Sequence, residues 1–289
     1  MRTTRLFFSI LLIMAAFAAN AQSYYLMPEK FYLQKGDKLN LHLMSTNDDF
    51  TKQTDIKYQA DKTGEFTLYQ GKKRTDLKPS AVVIDSIAPI VSYAVNEDGL
   101  LLASMSTTPP AAEMTRSKFL RTLDESDPDN IAEKVKNSNQ LYYKEKFNNY
   151  MKVLVKIGDS NSGGLFDKPV NQEYEIILKQ NPYKFNYGDD ISAVVLFKGK
   201  PIANAAITLM VKTVGGNIFP QKLSSDAAGL IYFKLSREGI YALSSTHTEQ
   251  LKDNKTADFE SWKTTYTFAF SSNNELPNSY KEFGFGNVH

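Results

Sequence analysis

Short runs of alternating apolar and polar residues, separated by turn-forming residues, constrain the fold of this chain more than any other feature. In Lys38–Ser45, "KLNLHLMS", leucine at every second position alternates with lysine, asparagine and histidine. Because successive side chains of a strand point to opposite faces, this pattern predicts a half-buried strand with His42 facing solvent. Similar runs recur along most of the chain, which is typical of antiparallel, immunoglobulin-like β-sandwiches.

Residues 111–150 depart from the strand pattern. Asp127-Pro128-Asp129 and residues 137–139 interrupt this region, which we interpret as a helical insertion before a final strand, Met151–Ile157. The insertion either packs as an ordinary amphipathic excursion or forms a lid or partner surface. Its apolar residues recur at helical spacing: Met114, Phe119, Leu120, Leu123, Ile131, Val135, Leu141, Tyr142 and Phe147.

A faint internal repeat predicts two domains. "PEKFYLQKGDKLNLHL" begins at Pro28 and "PYKFNYGDDISAVVLF" begins at Pro182, and both place Gly-Asp before an alternating strand. Glycine permits positive φ and aspartate can bond the turn backbone, so each segment reads as strand, turn, strand. The predicted division is an N-terminal β-sandwich with the helical insertion (22–160), a linker (161–170), a C-terminal β-sandwich (171–272) and a flexible tail (273–289).

The stretch Ile157–Phe166, "IGDSNSGGLF", resembles a serine-protease nucleophile loop, and this raises the question of hydrolase activity. Asn161 and Ser162 separate Ser160 from the glycine pair, so the loop has the wrong length for an oxyanion hole. Gly, Asp, Ser and Asn together are typical of a flexible joint between domains. The sequence therefore favours a linker and predicts no enzyme.

The N-terminus predicts export. A basic start, a short apolar stretch and the small-x-small pattern Ala19-Asn20-Ala21 are typical of a signal peptide over residues 1–21. We expect an extracytoplasmic protein, in the periplasm or on the outer surface, with no membrane span after cleavage. The chain has no cysteine, so disulfides and thiolate sites are excluded, and its net charge of +2 is too small and dispersed for nucleic-acid binding.

One local cluster has metal-ligand chemistry. His247 and Glu249 are two residues apart, so they point to the same face of a strand. Asp258 and Glu260 follow a polar loop and are expected to return beside them. Imidazole and carboxylates suit a divalent transition metal, although surface and hydrogen-bonded histidines are the simpler interpretation.

The order of several modest motifs resembles a family of secreted bacterial proteins known as a domain of unknown function. The motifs are "QSYYLMP" at Gln22–Pro28, Gly36-Asp37, "FNNYMKVLVKIG", "NPYKFNYGDDISAVVLFKGKPIANA", His247, and Asp258–Ser261 before "TYTFAF". Some members are labelled periplasmic components of nickel or cobalt uptake. The resemblance implies a secreted accessory protein that handles nickel or cobalt and has a membrane transporter or envelope protein as partner.

Departures from the family pattern leave three functions open. Gln22 stands where the family has an early histidine, and Phe259 and Lys263 stand at tryptophan positions. The first hypothesis is a non-enzymatic binding protein for a transition-metal ion or its complex. The alternatives are a structural immunoglobulin-like module of the cell envelope and a metal-assisted hydrolase, which would need further ligands and an open coordination position.

Overall fold

A computed structural model describes residues 23–46, 53–82, 89–123, 130–160, 163–252, 256–278 and 282–284. The predicted signal peptide and Gln22 lie outside these residues. The described chain is mainly β, as the alternating runs predict. Its strands are β1 (Ser23–Pro28), β2 (Tyr32–Leu33), β3 (Lys38–Thr46), β4 (Gln53–Asp55), β5 (Thr63–Gln70), β6 (Lys73–Asp76), β7 (Val91–Ala94), β8 (Gly99–Thr107), β9 (Ala112–Thr115), β10 (Tyr142–Ile157), β11 (Tyr174–Leu178), β12 (Asp190–Phe197), β13 (Lys200–Pro201), β14 (Ala206–Lys212), β15 (Ile218–Ser224), β16 (Leu230–Lys234), β17 (Gly239–Gln250) and β18 (Phe259–Phe270). Its helices are α1 (Arg116–Thr122) and α2 (Ile131–Lys136).

The strands form three sheets. The N-terminal sheet contains β1, β3, β4 and β7, and the C-terminal sheet contains β11, β12, β13 and β16. Between them lies a ten-stranded central sheet in the order β15-β14-β17-β18-β10-β8-β5-β6, with β2 and β9 paired to β10. The sandwich architecture predicted from the sequence is confirmed, and the central sheet is shared by both sandwiches.

Two hydrophobic cores lie on opposite faces of the central sheet. In β8, Leu101 and Ala103 belong to the core under the N-terminal sheet, whereas Leu100 and Leu102 belong to the core under the C-terminal sheet. Because side chains alternate across a strand, one buried strand supplies both cores. We call these the first core and the second core.

The central sheet crosses the predicted domain boundary. β10, from the first predicted domain, pairs with β18, from the second, in a parallel register running from Glu145↔Phe259 to Val153↔Thr267. This pair and the short β2–β10 pair are parallel, whereas the other described strand pairs are antiparallel, as the sequence predicts. The two predicted domains are therefore joined by backbone hydrogen bonds. Their bounds as independently folding units remain a prediction.

The segments predicted to be a flexible linker and tail are partly anchored. Leu165 and Val170 are buried in the second core, so the linker is fixed at these positions. Phe283, within the predicted flexible tail, is 0% exposed and belongs to the first core, while the flexibility of the tail stays a prediction. Asn161 and Ser162 lie outside the described residues. In both segments, which are otherwise polar, the buried residues are the apolar ones.

The helical insertion is shorter than predicted. Helices α1 and α2 are present, but Met114 lies in β9, and the segment containing Tyr142 and Phe147 is the start of β10. Phe119, Tyr143 and Phe259 stack together in a small third core, because β10 places its apolar residues against the helices. Within the described ranges, neither helix has the length and apolar character of a membrane span.

His42 is buried, which corrects the prediction that it faces solvent. It is 1% exposed, because β3 is buried on both faces from Leu41 onward. Its Nδ1 atom lies 2.9 Å from Asp55 Oδ1, and its Nε2 atom lies 3.4 Å from Glu29 Oε1. Each ring nitrogen of His42 contacts a different carboxylate. A single metal ion could not bind both nitrogens, so the arrangement is a hydrogen-bonded cluster.

Candidate functional site

The four predicted metal ligands lie at one end of the β17–β18 pair. The antiparallel register sets Glu249 opposite Glu260 and His247 opposite Trp262. Directly opposite residues share a face of the sheet, so the imidazole and these two carboxylates lie on the same side. That side carries the second core further along the strands.

The four residues form one close pair and two separately engaged carboxylates. His247 Nε2 lies 3.3 Å from Glu249 Oε1. Glu260 Oε1 accepts hydrogen bonds from Lys146 Nζ and Asn148 Nδ2, both at 2.7 Å. Asp258 Oδ2 accepts a hydrogen bond of 2.7 Å from the Lys144 backbone N–H. Among the residues that the structure describes, no three His, Cys, Asp or Glu side chains are placed to hold a metal ion.

Glu260 is held in its ionised form by its neighbours. Burial opposes its ionisation, but the hydrogen bonds from Lys146 and Asn148, with the charge of Lys146, outweigh this effect and lower the pKa of Glu260. These donors come from β10, which runs parallel to β18. The Glu260 carboxylate therefore forms a structural ion pair with β10, on the opposite side of β18 from β17, the strand that carries His247.

Aromatic rings surround His247. Its ring centroid lies 4.2 Å from that of Phe197, 6.0 Å from that of Trp262 and 6.1 Å from that of Tyr174. The side chain of His247 is 13% exposed, and that of Glu249 is 39% exposed. The imidazole is thus set in an apolar wall, with the carboxylate at its open side.

Lys198 covers this wall from a tight turn. It has φ of 50°, and Gly199, which follows it, has φ of 76°, so the turn between β12 and β13 is left-handed at both positions. Lys198 Nζ lies 4.6 Å from the ring centroid of Phe197 and 4.8 Å from that of Trp262. It also lies 3.8 Å from Glu249 Oε2. The lysine therefore supplies the cation that faces both rings and the carboxylate.

Trp262 is fixed in orientation by a second carboxylate. Its Nε1–H donates to Glu173 Oε2 at 2.7 Å, and the Tyr150 hydroxyl donates to the same oxygen at 3.2 Å. Burial, together with the charge of Glu173, raises the pKa of Tyr150, so this hydroxyl stays a donor. We call Phe197, Lys198, His247, Glu249 and Trp262 the His247 cluster.

The sequence identified two members of this cluster and missed three. The two-residue spacing of His247 and Glu249 was sufficient, because period two fixes a shared face. Phe197 and Lys198 belong to the C-terminal sheet and reach the histidine only through sheet packing. The Gly199-Lys200-Pro201 turn was visible in the sequence, yet nothing there indicated that the residue before it would lie above Trp262.

The chain is remotely similar to several solved structures. The D0-D1 domain of intimin is 13% identical, with 85% of this chain and 97% of that chain covered, at a TM-score of 0.21. Salmonella alpha-2-macroglobulin reacted with methylamine is 8% identical, with 85% of this chain and 15% of that chain covered, at 0.22. A tetra-tandem repeat of a large adhesion protein is 12% identical, with 86% and 49% covered, at 0.21. Scores of this size carry no argument about function.

The sequence itself places the chain in a family. No curated protein matches it. The model of one family matches residues 19–249, a range that includes the first predicted sandwich with its helical insertion and the second predicted sandwich as far as Glu249. The chain therefore belongs to the family described as "Domain of unknown function (DUF4198)".

Proposed function

We propose that this chain is a non-enzymatic, extracytoplasmic binding protein whose cargo is a chelated transition-metal ion, recognised at the His247 cluster. The observation that carries the proposal is the convergence of His247 Nε2 and Glu249 Oε1, 3.3 Å apart, beside the half-buried ring of Phe197. The expected export signal supports the compartment. A membrane transporter or another envelope protein is the proposed partner.

The spacing of the donor pair suits one metal ion. Two donors that each lie about 2.0–2.1 Å from one ion in adjacent coordination positions are about 2.8–3.4 Å apart, the lower value for an octahedral ion and the higher for a tetrahedral one. Imidazole with carboxylate is a donor set for nickel, cobalt, copper or zinc. The same spacing also fits a hydrogen bond, so the pair is compatible with an empty and a loaded state.

Two protein donors favour a complex over a bare ion. Glu260 and Asp258 are already engaged by β10, so they do not complete a coordination sphere. A small chelator would supply the remaining donors, and Phe197 would provide it with a flat apolar contact. For the same reason the cluster gives little support to a metal-assisted hydrolase, which requires several protein ligands and an activated water.

Lys198 is expected to regulate access to the donor pair. Its ammonium group faces Glu249 at 3.8 Å, where it competes with a metal cation for the same carboxylate. The cargo would displace it, and its 51% exposed side chain is able to move into solvent. Removal of this charge should therefore strengthen binding of a cationic complex.

Calorimetric titration of untagged protein with the nickel complex of tris(2-aminoethyl)amine tests the proposal, because this dicationic chelate leaves two adjacent coordination positions free. We expect saturable binding near one equivalent, weakened at least about tenfold in His247→Ala and in Glu249→Gln, each lost ligand costing about 1.4 kcal/mol or more. Lys198→Ala should bind more tightly. His289→Ala is the matched control for histidine number. Equal affinity in His247→Ala and the parent would refute the proposed site.

A further inference from the structure

A cleft opens at the edge of the second core, where the central sheet ends. There β15 is the last strand of the central sheet, and β16 is the neighbouring strand of the C-terminal sheet. The cleft has a volume of about 360 Å³, within the range of small-molecule sites. Its lining includes Leu209, Val211, Phe219, Gln221, Lys234 and Arg237.

The floor of this cleft is apolar and its rim is polar. Leu209 and Val211 are 2% and 5% exposed and belong to the second core. Phe219 stands directly opposite Val211 on the same face, yet it is 38% exposed. The C-terminal sheet therefore does not extend far enough to cover β15, and an aromatic ring remains accessible above buried aliphatic side chains.

Strand addition is a poor explanation for this open edge. Thr213 N–H donates to Asn217 O at the end of the β14–β15 pair. Because hydrogen-bonded and non-hydrogen-bonded pairs alternate along an antiparallel ladder, Met210 and Pro220 form a non-hydrogen-bonded pair, and the backbone of Pro220 faces the open edge. Proline has no N–H to offer an incoming strand, and Lys222 lies exposed two residues further on. The edge is thus protected against extension of the sheet, so the occupant of the cleft is not a strand.

Arg237 provides the recognition element. Its guanidinium carbon lies 3.9 Å from the ring centroid of Phe219, which is a stacking contact. The Tyr241 hydroxyl accepts from Arg237 N–H at 3.2 Å and donates to Arg237 O at 2.7 Å, so a fully buried tyrosine fixes the backbone beneath the guanidinium. Burial raises the pKa of Tyr241 to about 12, which keeps this hydroxyl protonated.

The charge of Arg237 is not compensated in the described part of the chain. The other cation of the cleft, Lys234, is paired with both oxygens of Asp190 at 2.8 and 2.9 Å. Glu238, adjacent in sequence, accepts instead from the Ser272 backbone N–H at 2.9 Å. In the described part of the chain the Arg237 guanidinium makes no ion pair and donates from Nη1 to Ser236 Oγ at 3.5 Å, although this group is suited to bidentate pairing.

We infer that the cleft binds a small organic anion, with a carboxylate on Arg237 and an apolar body between Phe219 and the Leu209–Val211 floor. This Arg237 cleft is lined by different residues from the His247 cluster and does not depend on the proposed metal cargo. The preformed stacking of Arg237 on Phe219 leaves the planar fork ready to accept a carboxylate without reorganisation. The ligand class is therefore a monocarboxylate with an aromatic or short aliphatic group.

Phenylacetate is the probe, and phenylacetamide is its neutral counterpart. Ligand-observed NMR titration of the mature protein should show saturable binding of phenylacetate and at least tenfold weaker binding of phenylacetamide. Arg237→Gln should weaken phenylacetate binding at least tenfold, and Phe219→Ala should weaken it severalfold. Arg237→Lys keeps the charge but loses the fork, so it should also weaken binding.

Arg74→Gln is the matched control, because Arg74 is an exposed arginine on β6, at the opposite edge of the central sheet, and already has a partner in Glu65 at 3.4 Å. Its affinity should stay within about twofold of the parent. Circular dichroism melts of each variant confirm that the exposed substitutions leave the fold intact. No saturable binding of phenylacetate, or binding that is unchanged in Arg237→Gln, would overturn the inference.

Discussion

The two cores of this protein share the central sheet but are linked across it in different ways. In the first core, threonines of β18 donate to backbone carbonyls of β1: Thr265 to Tyr24 O at 2.9 Å and Thr267 to Leu26 O at 3.1 Å. In the second core, Lys152 Nζ pairs with Glu175 Oε1 at 2.8 Å, with side-chain exposures of 0% and 2%. The first core contains neutral links, whereas the second contains a buried ion pair.

This difference shows how the two faces of the central sheet position the N-terminal and C-terminal sheets by different interactions. Hydroxyl-to-carbonyl bonds tolerate small shifts between layers, and apolar packing then sets the position of the N-terminal sheet. The buried pair requires one register, because Glu175 also accepts from Val170 N–H at 2.8 Å. Burial lowers the pKa of Lys152, while the charge of Glu175 opposes that shift. The pair therefore fixes β11 over β10 at a considerable desolvation cost.

The largest expected effect comes from breaking this pair. Lys152→Met should leave Glu175 buried without its counter-charge and lower the free energy of unfolding by about 3–5 kcal/mol. Urea denaturation of the variant and the parent measures the loss. The double variant Lys152→Met with Glu175→Leu should recover most of it. A double variant as unstable as the single one would contradict a charge-based explanation.

Adjacent leucines of β8 compare the two cores directly. Leu101 and Leu102 are both 0% exposed, and they point into the first and second cores respectively. Leu101→Ala and Leu102→Ala should each lower the free energy of unfolding by about 2–5 kcal/mol, through lost transfer energy and a residual cavity. Both variants should unfold in one transition, because the cores share a sheet. Two separate transitions in either variant would show that the sandwiches unfold independently.

A buried carboxyl beside the third core should make stability depend on pH. Glu145 is 1% exposed; its Oε1 accepts from Ser261 Oγ at 2.5 Å, while its Oε2 has no hydrogen-bond partner in the described structure. Burial raises the pKa of Glu145, against the opposing effects of the Ser261 hydrogen bond and the Lys263 charge. The folded state therefore binds a proton more tightly than the unfolded state does.

The direction of the pH effect follows. The contribution of Glu145 to stability is fully present below its unfolded-state pKa and is lost as pH rises through the raised folded-state pKa. Glu145→Gln should remove this decline and raise stability above that range by an amount on the order of 1 kcal/mol. Urea denaturation between pH 4 and 8 measures it. An unchanged pH profile in the variant would show that the carboxyl is solvated.

The smallest expected effect is at the exposed counterpart of the buried ion pair. Lys234 and Asp190 are 60% and 68% exposed, although their separation of 2.8 Å equals that of Lys152 and Glu175. Lys234→Ala should change the free energy of unfolding by less than about 1 kcal/mol, because solvent screens the pair. Thermal melts at low and high salt provide the measurement. If Lys234→Ala lost as much unfolding free energy as Lys152→Met, burial would not explain the difference between the two ion pairs.

Several features of the fold followed from sequence periodicity. The alternation in Leu39–Leu43 predicted a strand, because period two matches the geometry of a β-strand, and the short Val-rich segment Met151–Ile157 predicted another. Helices were predicted where Phe119 and Ile131 recur at helical spacing, and α1 and α2 are found there. The same spacing was misleading at Phe147, because residues four apart, such as Tyr143 and Phe147 of β10, share one face of a strand as well as one face of a helix.

The sequence by itself determined the β-rich class, the turns and the shared face of His247 and Glu249, because these are local consequences of chain geometry. Only the tertiary structure decided that β10 pairs with β18, that Lys198 lies over Trp262 and that Arg237 stacks on Phe219. Such contacts join residues distant in sequence, and their formation depends on which sheets pack together. Local periodicity specifies strands, whereas packing between sheets creates the sites.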